Sequence, residues 1–175
     1  MTSGEGLRAS GLLFVAAMLQ VVIVSSLGIA GGAPDLLLVT VVVLGLLRGS
    51  VPGAAFGFAG GLIVDLLTLQ TLGVTSLVLT LAGFWAGRWI ETTGGGRRLA
   101  PVIAVGVITV LAAAFGVVLQ YMLGDVVDAR HALVTVLVPT LLANLALAYP
   151  VYLVVRSAVH ERDVISPAPE VEVLV

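Results

Sequence analysis

The stretch GSVPGAAFGFAGGLIVD, residues 49–65, decides how the chain is folded. It places four glycines at steps of four, and the next step reaches an acid: Gly49, Gly53, Gly57, Gly61 and Asp65. Residues four apart lie on neighbouring turns of one helix face, so the glycines predict a shallow groove, which Gly60 is expected to widen. Because glycine lowers helix propensity by about 1 kcal/mol in water, so dense a ridge indicates a packing purpose.

The composition around this stretch indicates a membrane protein. Of the 175 residues, 59% are hydrophobic and 10% are charged, against about 25% charged in ordinary soluble domains. A soluble chain of this size could not bury so much apolar surface. The net charge of -2 gives no reason to expect a nucleic-acid partner. Cysteine and lysine are both absent, which excludes disulfides, thiolate chemistry and Schiff-base chemistry.

Hydropathy predicts an all-α bundle of six transmembrane helices in one domain, residues 1–158, followed by a flexible cytoplasmic tail, residues 159–175. The expected spans are about 9–30, 34–47, 51–68, 72–90, 99–123 and 132–156. The second span is short, so we expect it to extend back toward Ala30, or the bilayer to thin there. The first could instead be a cleaved signal peptide, but its apolar run exceeds the usual length of roughly 7–15 residues.

The arginines predict the orientation of these spans. With a cytoplasmic N-terminus and six alternating spans, only Arg130 lies outside. The other seven fall at cytoplasmic ends or loops, in agreement with the positive-inside rule: Arg8, Arg48, Arg88, Arg97, Arg98, Arg156 and Arg162. Trp85 and Trp89 are expected near the cytoplasmic interface.

The glycine ridge allows two interpretations. Helices in lipid associate through close backbone contact at small residues, so the ridge could pack inside this chain's own bundle or receive a partner's helix. Asp65 also allows two interpretations. It could be an acid at a helix end that reaches the external interface, or a buried polar anchor that orders the following loop or binds a partner. Gly73 is expected to let that loop turn into the fourth span.

The remaining polar residues do not indicate an active site. Gln20, Thr40, Gln120 and Asn144 are expected to link helices by hydrogen bonds worth about 1 kcal/mol. No His, Asp or Glu pair has metal-ligand spacing, and no set of polar residues indicates convergence at one depth. We therefore expect no catalytic residue, no metal and no cofactor.

The sequence resembles the MreD family of rod shape-determining proteins. The resemblance covers roughly residues 34–88: a proline and a polar residue open the second span, a glycine-rich third span ends in an acid, and Leu-Gly precedes the fourth. These positions are Pro34, Asp35, Gly57, Gly61, Asp65, Leu72 and Gly73. Spans five and six match only as apolar helices.

The resemblance implies a non-enzymatic scaffold of the bacterial elongation complex in the inner membrane. Such proteins bind MreC, and through it connect to the transpeptidase, the RodA-type glycosyltransferase and MreB filaments. The family fold looks like the substrate-binding subunit of energy-coupling-factor vitamin transporters, which is the alternative function. That alternative expects small residues four apart on the first span, but Ala16 is followed by Gln20.

Overall fold

The computed structural model describes residues 3–26, 33–69, 71–93, 99–124 and 136–159. Within these ranges the chain forms six α-helices and no strand, so the expectation of an all-helical membrane bundle is confirmed. The helices are α1 Ser3–Ser26, α2 Leu36–Arg48, α3 Ser50–Thr68, α4 Val74–Thr93, α5 Ala100–Met122 and α6 Leu137–Val159.

Three of these helices are long and apolar enough to cross a membrane by length and composition. They are α3, α5 and most of α6. Two shorter apolar stretches, Gly6–Val22 and Leu36–Arg48, lie in α1 and α2. Helix α4 has 20 residues, but Arg88 and Glu91 near its C-terminus make it less apolar.

Helix α2 is the centre of the bundle. It contacts all five other helices, which surround it in the order α1, α3, α4, α5, α6 and back to α1. Every residue from Leu37 to Leu46 is buried, as expected for a helix that is apolar on all sides. The core of the molecule therefore forms around α2, with side chains from the other helices facing it.

The expected extension of the second span toward Ala30 is wrong where the chain is described, because residues 33–35 are not helical. With 13 residues, α2 is about 20 Å long at 1.5 Å per residue, shorter than a hydrocarbon core of about 30 Å. The non-helical backbone before α2 must therefore be satisfied by protein groups, since irregular backbone at membrane depth is tolerated only inside a protein.

Candidate functional site

The glycine ridge lies against α4 of the same chain. A methyl group on Gly53 would lie 2.5 Å from the carbonyl oxygen of Gly83. One on Gly57 would clash with the backbone of Leu79, and one on Gly61 with that of Ser76. From α4, Gly83 and Gly87 meet the backbone at Gly53 and Gly49 in the same way. This groove is therefore filled from within the bundle, as the internal-packing interpretation expects.

Two of the five glycines are placed differently from the expectation. Gly49 is not in helix α3 but precedes it, with φ of 92°, at the junction with α2. Gly60 does not widen the groove toward α4, because a methyl group there would meet the side chains of Leu13 in α1 and Leu37 in α2. It permits a separate close approach of α3 to its other neighbours.

Asp65 is a buried anchor at the N-terminus of α4, with 1% of its surface exposed. Its Oδ2 accepts hydrogen bonds from the backbone N–H of Gly73 at 2.8 Å and of Ser76 at 3.3 Å, and from the Ser76 hydroxyl at 3.3 Å. These N–H groups belong to the first turn of α4, which lacks partners within the helix. Its other oxygen, Oδ1, is buried and has no hydrogen-bond partner among the described residues.

Glu91 performs the corresponding role at the other end of the same helix pair. Its Oε1 accepts from the backbone N–H of Ser50 at 2.7 Å, and both carboxylate oxygens accept from the Ser50 hydroxyl. Arg88 lies 3.6 Å away as an ion partner. Glu91 lies just beyond the expected span 72–90. The backbone hydrogen bond from Ser50 is the main cause that holds the pKa of the Glu91 carboxyl below its usual range.

Helices α3 and α4 therefore cap each other. Each is preceded by a glycine with positive φ, Gly49 at 92° and Gly73 at 97°, and a glycine has no side chain with which to cap its own helix. Asp65 of α3 caps α4, and Glu91 of α4 caps α3. Together with the glycine contacts between them, these two carboxylates join α3 and α4 into one antiparallel unit.

A second polar site holds the N-terminus of α2. The Asp35 carboxylate accepts from the N–H of Leu38 at 2.9 Å, a helix cap within the same turn. Gln20 of α1 accepts from the N–H of Leu36 at 2.7 Å and donates to the carbonyl of Pro34 at 3.3 Å. The hydrogen bonds of Gln20 to Pro34 and Leu36 thus hold the start of the central helix against α1.

Asn144 of α6 completes this second site. It accepts from the N–H of Asp35 at 2.7 Å and donates to the Thr109 hydroxyl of α5 at 3.2 Å. Residues from four helices therefore meet at one depth, a convergence that the sequence did not indicate. Of the four residues expected to link helices, Gln20 and Asn144 do so, while Thr40 bonds to Leu36 of its own helix and the Gln120 side chain is exposed.

The turn between α3 and α4 carries the last motif residues. Leu72 is exposed, and Gly73 has the positive φ that a turn into α4 requires. Leu69 is in the left-handed region at φ 53°, a conformation that costs an L-residue about 1–2 kcal/mol. The hydrogen bonds that the Asp65 carboxylate accepts from Gly73 and Ser76 hold the end of this turn in place.

The arginines that the structure describes lie near helix ends. Arg8 is in the second turn of α1, Arg48 ends α2, and Arg156 is in the last turn of α6, over the ring of Tyr152. Arg88 is exposed beside Glu91. Arg97, Arg98 and Arg162 lie outside the described residues. Trp89 is near the end of α4, and Trp85 lies one turn, about 6 Å, further in at 1.5 Å per residue.

The cavities are small or apolar. A pocket of about 130 Å³ near the start of α2 is lined in part by Gln20, Asp35, Thr68 and Thr75. Two grooves are almost wholly apolar, one of about 300 Å³ between α4 and α5 and one of about 250 Å³ between α1 and α6. Within the described ranges, no three His, Cys, Asp or Glu side chains are grouped to hold a metal ion.

A bundle of apolar helices around a buried central helix, with its polar groups used to satisfy helix ends, defines a polytopic helical membrane protein. The family model described as rod shape-determining protein MreD matches residues 7–160. The chain therefore belongs to the MreD family, whose members take part in determining rod shape. No curated protein and no solved structure matches the chain, so the likeness to vitamin-transporter subunits stays a prediction.

Proposed function

We propose that the protein is a non-enzymatic scaffold of the elongation complex, which binds MreC in the inner membrane and helps organise lateral peptidoglycan synthesis. The match to the MreD family carries this proposal. It agrees with polar side chains that are committed to helix ends, such as Asp65 and Glu91, rather than to a reaction centre. Through MreC, the scaffold is connected to the transpeptidase, the RodA-type glycosyltransferase and MreB.

The proposed arrangement has six spans in residues 1–158 and both termini in the cytoplasm. The contacts between Glu91 and Ser50 bring the start of α3 and the end of α4 to one end of the bundle. Arg48 and Arg88 belong to the same region, which by the positive-inside rule is the cytoplasmic one. Asp65 and the turn around Gly73 then lie at the external end.

The alternative, a vitamin-capturing subunit, is supported by one observation, the polar pocket beside Gln20 and Asp35. Its volume of about 130 Å³ is below the roughly 300–1,000 Å³ of most small-molecule sites. The amide groups of Gln20 and Asn144 are also engaged with the α2 backbone. The scaffold function is therefore favoured.

Co-purification from crosslinked native membranes tests the proposal. The protein carries a tag at its C-terminus, and an untagged strain is the control. Recovery of MreC with the wall-synthesis enzymes is the expected result. Recovery of a transporter ATPase module in place of MreC would contradict the scaffold function and support the vitamin-capturing alternative.

A further inference from the structure

We propose that the polar pocket at the start of α2, here called the α2 pocket, binds one monovalent metal ion of the sodium type. The pocket has a volume of about 130 Å³, and its polar lining residues are Gln20, Asp35, Thr68 and Thr75. This inference goes beyond the proposed function and does not depend on it. It departs from the expectation of no metal, which rested on the spacing of His, Asp and Glu residues and left hydroxyl and amide oxygens aside.

Oxygen atoms meet at the α2 pocket from four segments of the chain. Gln20 is in the last two turns of α1, Asp35 precedes α2, Thr68 ends α3, and Thr75 is in the first turn of α4. Hard cations are bound by the oxygen atoms of carboxylates, carbonyls, hydroxyls and water. The α2 pocket therefore has the ligand chemistry of such an ion, and the fold, not the local sequence, brings the ligands together.

Each of these side chains retains an oxygen lone pair for a ligand. Asp35 uses one carboxylate oxygen, Oδ1, to cap α2 at Leu38, and its Oδ2 accepts no hydrogen bond within the described part of the chain. The Thr68 hydroxyl donates to a carbonyl of its own helix, which leaves its lone pairs available. The Thr75 hydroxyl is without a partner among the described residues. The amide oxygen of Gln20 accepts one backbone N–H and has a second lone pair.

The negative charge of Asp35 has no basic counterpart at this end of the described bundle. The four described arginines each lie 12 or 13 residues along the chain from Gln20, Asp35, Thr75 or Asn144, which is about 18–20 Å at 1.5 Å per residue. They are Arg8, Arg48, Arg88 and Arg156. A carboxylate that is removed from water and has no ion partner is costly, so a cation in the α2 pocket would stabilise it.

The helix dipoles do not supply the missing positive charge. Helices α2 and α4 begin beside the pocket and present their positive ends, whereas α3 ends there and α1 is close to its C-terminus. Dipoles of opposite direction largely cancel at such a junction. The carboxylate charge of Asp35 therefore remains to be balanced by a bound ion.

The number of carboxylates favours a monovalent ion over a divalent one. Asp35 is the one acid that lines the pocket, so a single positive charge neutralises it. Calcium takes six to eight oxygen ligands and usually several carboxylates, whereas no three acidic, His or Cys side chains are grouped within the described ranges. With a volume of about 130 Å³, the pocket has room for an ion and a few water molecules.

Ion binding can be measured on the full chain purified in detergent, without any partner. Equilibrium dialysis with radioactive sodium should give one bound ion for each chain. Thermal unfolding is followed as sodium chloride replaces choline chloride at constant ionic strength, which keeps charge screening unchanged. Because an ion that binds only the folded protein stabilises it, the melting temperature should rise with sodium and reach a plateau.

Two substitutions remove ligands but preserve the shape of the side chain. Asp35→Asn keeps an oxygen for the cap at Leu38 and removes the charge, and Thr75→Val removes the hydroxyl. Each should weaken sodium binding at least about tenfold. Thr80→Val is the matched control on the same helix, because the Thr80 hydroxyl donates to the carbonyl of Ser76 and does not line the pocket. It should bind sodium as the wild type does.

Three results would overturn the inference. The first is a wild-type protein that binds no radioactive sodium, or whose melting temperature is the same in sodium and in choline. The second is unchanged sodium binding in both Asp35→Asn and Thr75→Val, which would place the ion elsewhere. The third is an equal loss of binding in Thr80→Val, which would indicate a general effect on the fold. None of these results bears on the proposed function, since MreC is absent from the assay.

Discussion

At the scale of single residues, the two carboxylates between α3 and α4 are the main polar determinants of this fold. Helix α4 follows Gly73 and helix α3 follows Gly49, and neither glycine has a side chain that could accept a hydrogen bond from the helix start. Asp65 supplies that acceptor for α4, and Glu91 supplies it for α3. Charge near a helix N-terminus is favourable because of the exposed N–H groups and the helix dipole. Where water is scarce these contacts matter more, since an unpaired N–H has no alternative partner.

Replacing Asp65 separates its capping role from its charge. Asp65→Ala leaves the N–H groups of Gly73 and Ser76 without an acceptor, so we expect a loss of about 1–3 kcal/mol of stability. Asp65→Asn retains one oxygen and should lose less. Thermal unfolding in detergent micelles measures both, and limited proteolysis reports on the turn after α3. Equal losses in the two variants would show that the negative charge of Asp65, and not its hydrogen bonds to the start of α4, stabilises the protein.

Leu69 provides a prediction in the opposite direction. Its φ of 53° is strained for leucine, and its side chain is 91% exposed, so little packing is lost on removing it. Leu69→Gly should stabilise the protein by about 0.5–1 kcal/mol, the relief of strain less the added freedom of the unfolded chain. Leu72→Gly, at an exposed position without positive φ, is the control and should show no gain in melting temperature.

At the scale of elements, the pair α3–α4 is the most tightly joined part of the bundle. Its glycines bring the two backbones into contact over about two turns of α3, from Gly53 to Gly61. In lipid such contact replaces the hydrophobic force that drives helices together in water. A side chain at the middle of this interface has no space, because the facing atoms are backbone.

Gly57→Leu should therefore disrupt the fold and not merely a partner's contact. The added side chain would clash with the backbone of Leu79 and Thr80, and overpacking of this kind costs about 1–3 kcal/mol or more. We expect a lower melting temperature and less protein in the membrane. Gly11→Leu is the matched control, since its surroundings are open. A Gly57→Leu variant as stable as wild type would mean that α3 and α4 can separate without cost.

The sequence predicted the positions of the helices. It did not predict which helix lies at the centre of the bundle or which distant residues hold the helix ends. Long apolar runs are sufficient to locate helices such as α5, and steps of four predicted a glycine interface on α3. The sequence did not indicate that α2 is central, because a helix surrounded by lipid and a helix surrounded by protein are both apolar on all sides. Glu91 was missed because its partner Ser50 is 41 positions away. Asn144 was expected to link helices, but its partner Asp35, 109 positions away, could not be identified from the sequence.

At the scale of the whole molecule, the bundle is organised around the start of α2. Gln20 attaches it to α1, and Asn144 attaches it to α6 and α5. The central helix thus begins inside the protein, with its backbone donors satisfied by side chains from the surrounding helices. Loss of either amide affects the register of α2 against several neighbours at once.

Substituting both amides should give a non-additive loss. Gln20→Leu and Asn144→Leu each leave one backbone N–H unsatisfied, at Leu36 or Asp35, at a cost of about 1–3 kcal/mol. Because adjacent groups of one helix start are involved, the double variant should differ from the sum of the single ones by at least about 0.5 kcal/mol. Thermal unfolding of all four proteins measures the coupling. Strict additivity would show that the two amides act independently.

The absence of cysteine allows the orientation to be tested with single introduced thiols. In the proposed arrangement, Leu72→Cys lies in the external turn after α3, and Leu99→Cys, at an exposed position that precedes α5, lies at the cytoplasmic end. A membrane-impermeant maleimide should label position 72 but not position 99 in intact spheroplasts, and both after lysis. Labelling of position 99 alone before lysis would reverse the proposed orientation.

The reciprocal capping of α3 and α4 has a consequence for biosynthesis. The first N–H of α3, at Ser50, obtains its acceptor only when Glu91 has been synthesised, and α4 begins on a carboxylate that α3 already carries. Neither helix has complete ends alone, so the stable form to leave the translocon is the hairpin of both. Entry into the bilayer as a pair spares each helix a period in lipid with its terminal donors unsatisfied.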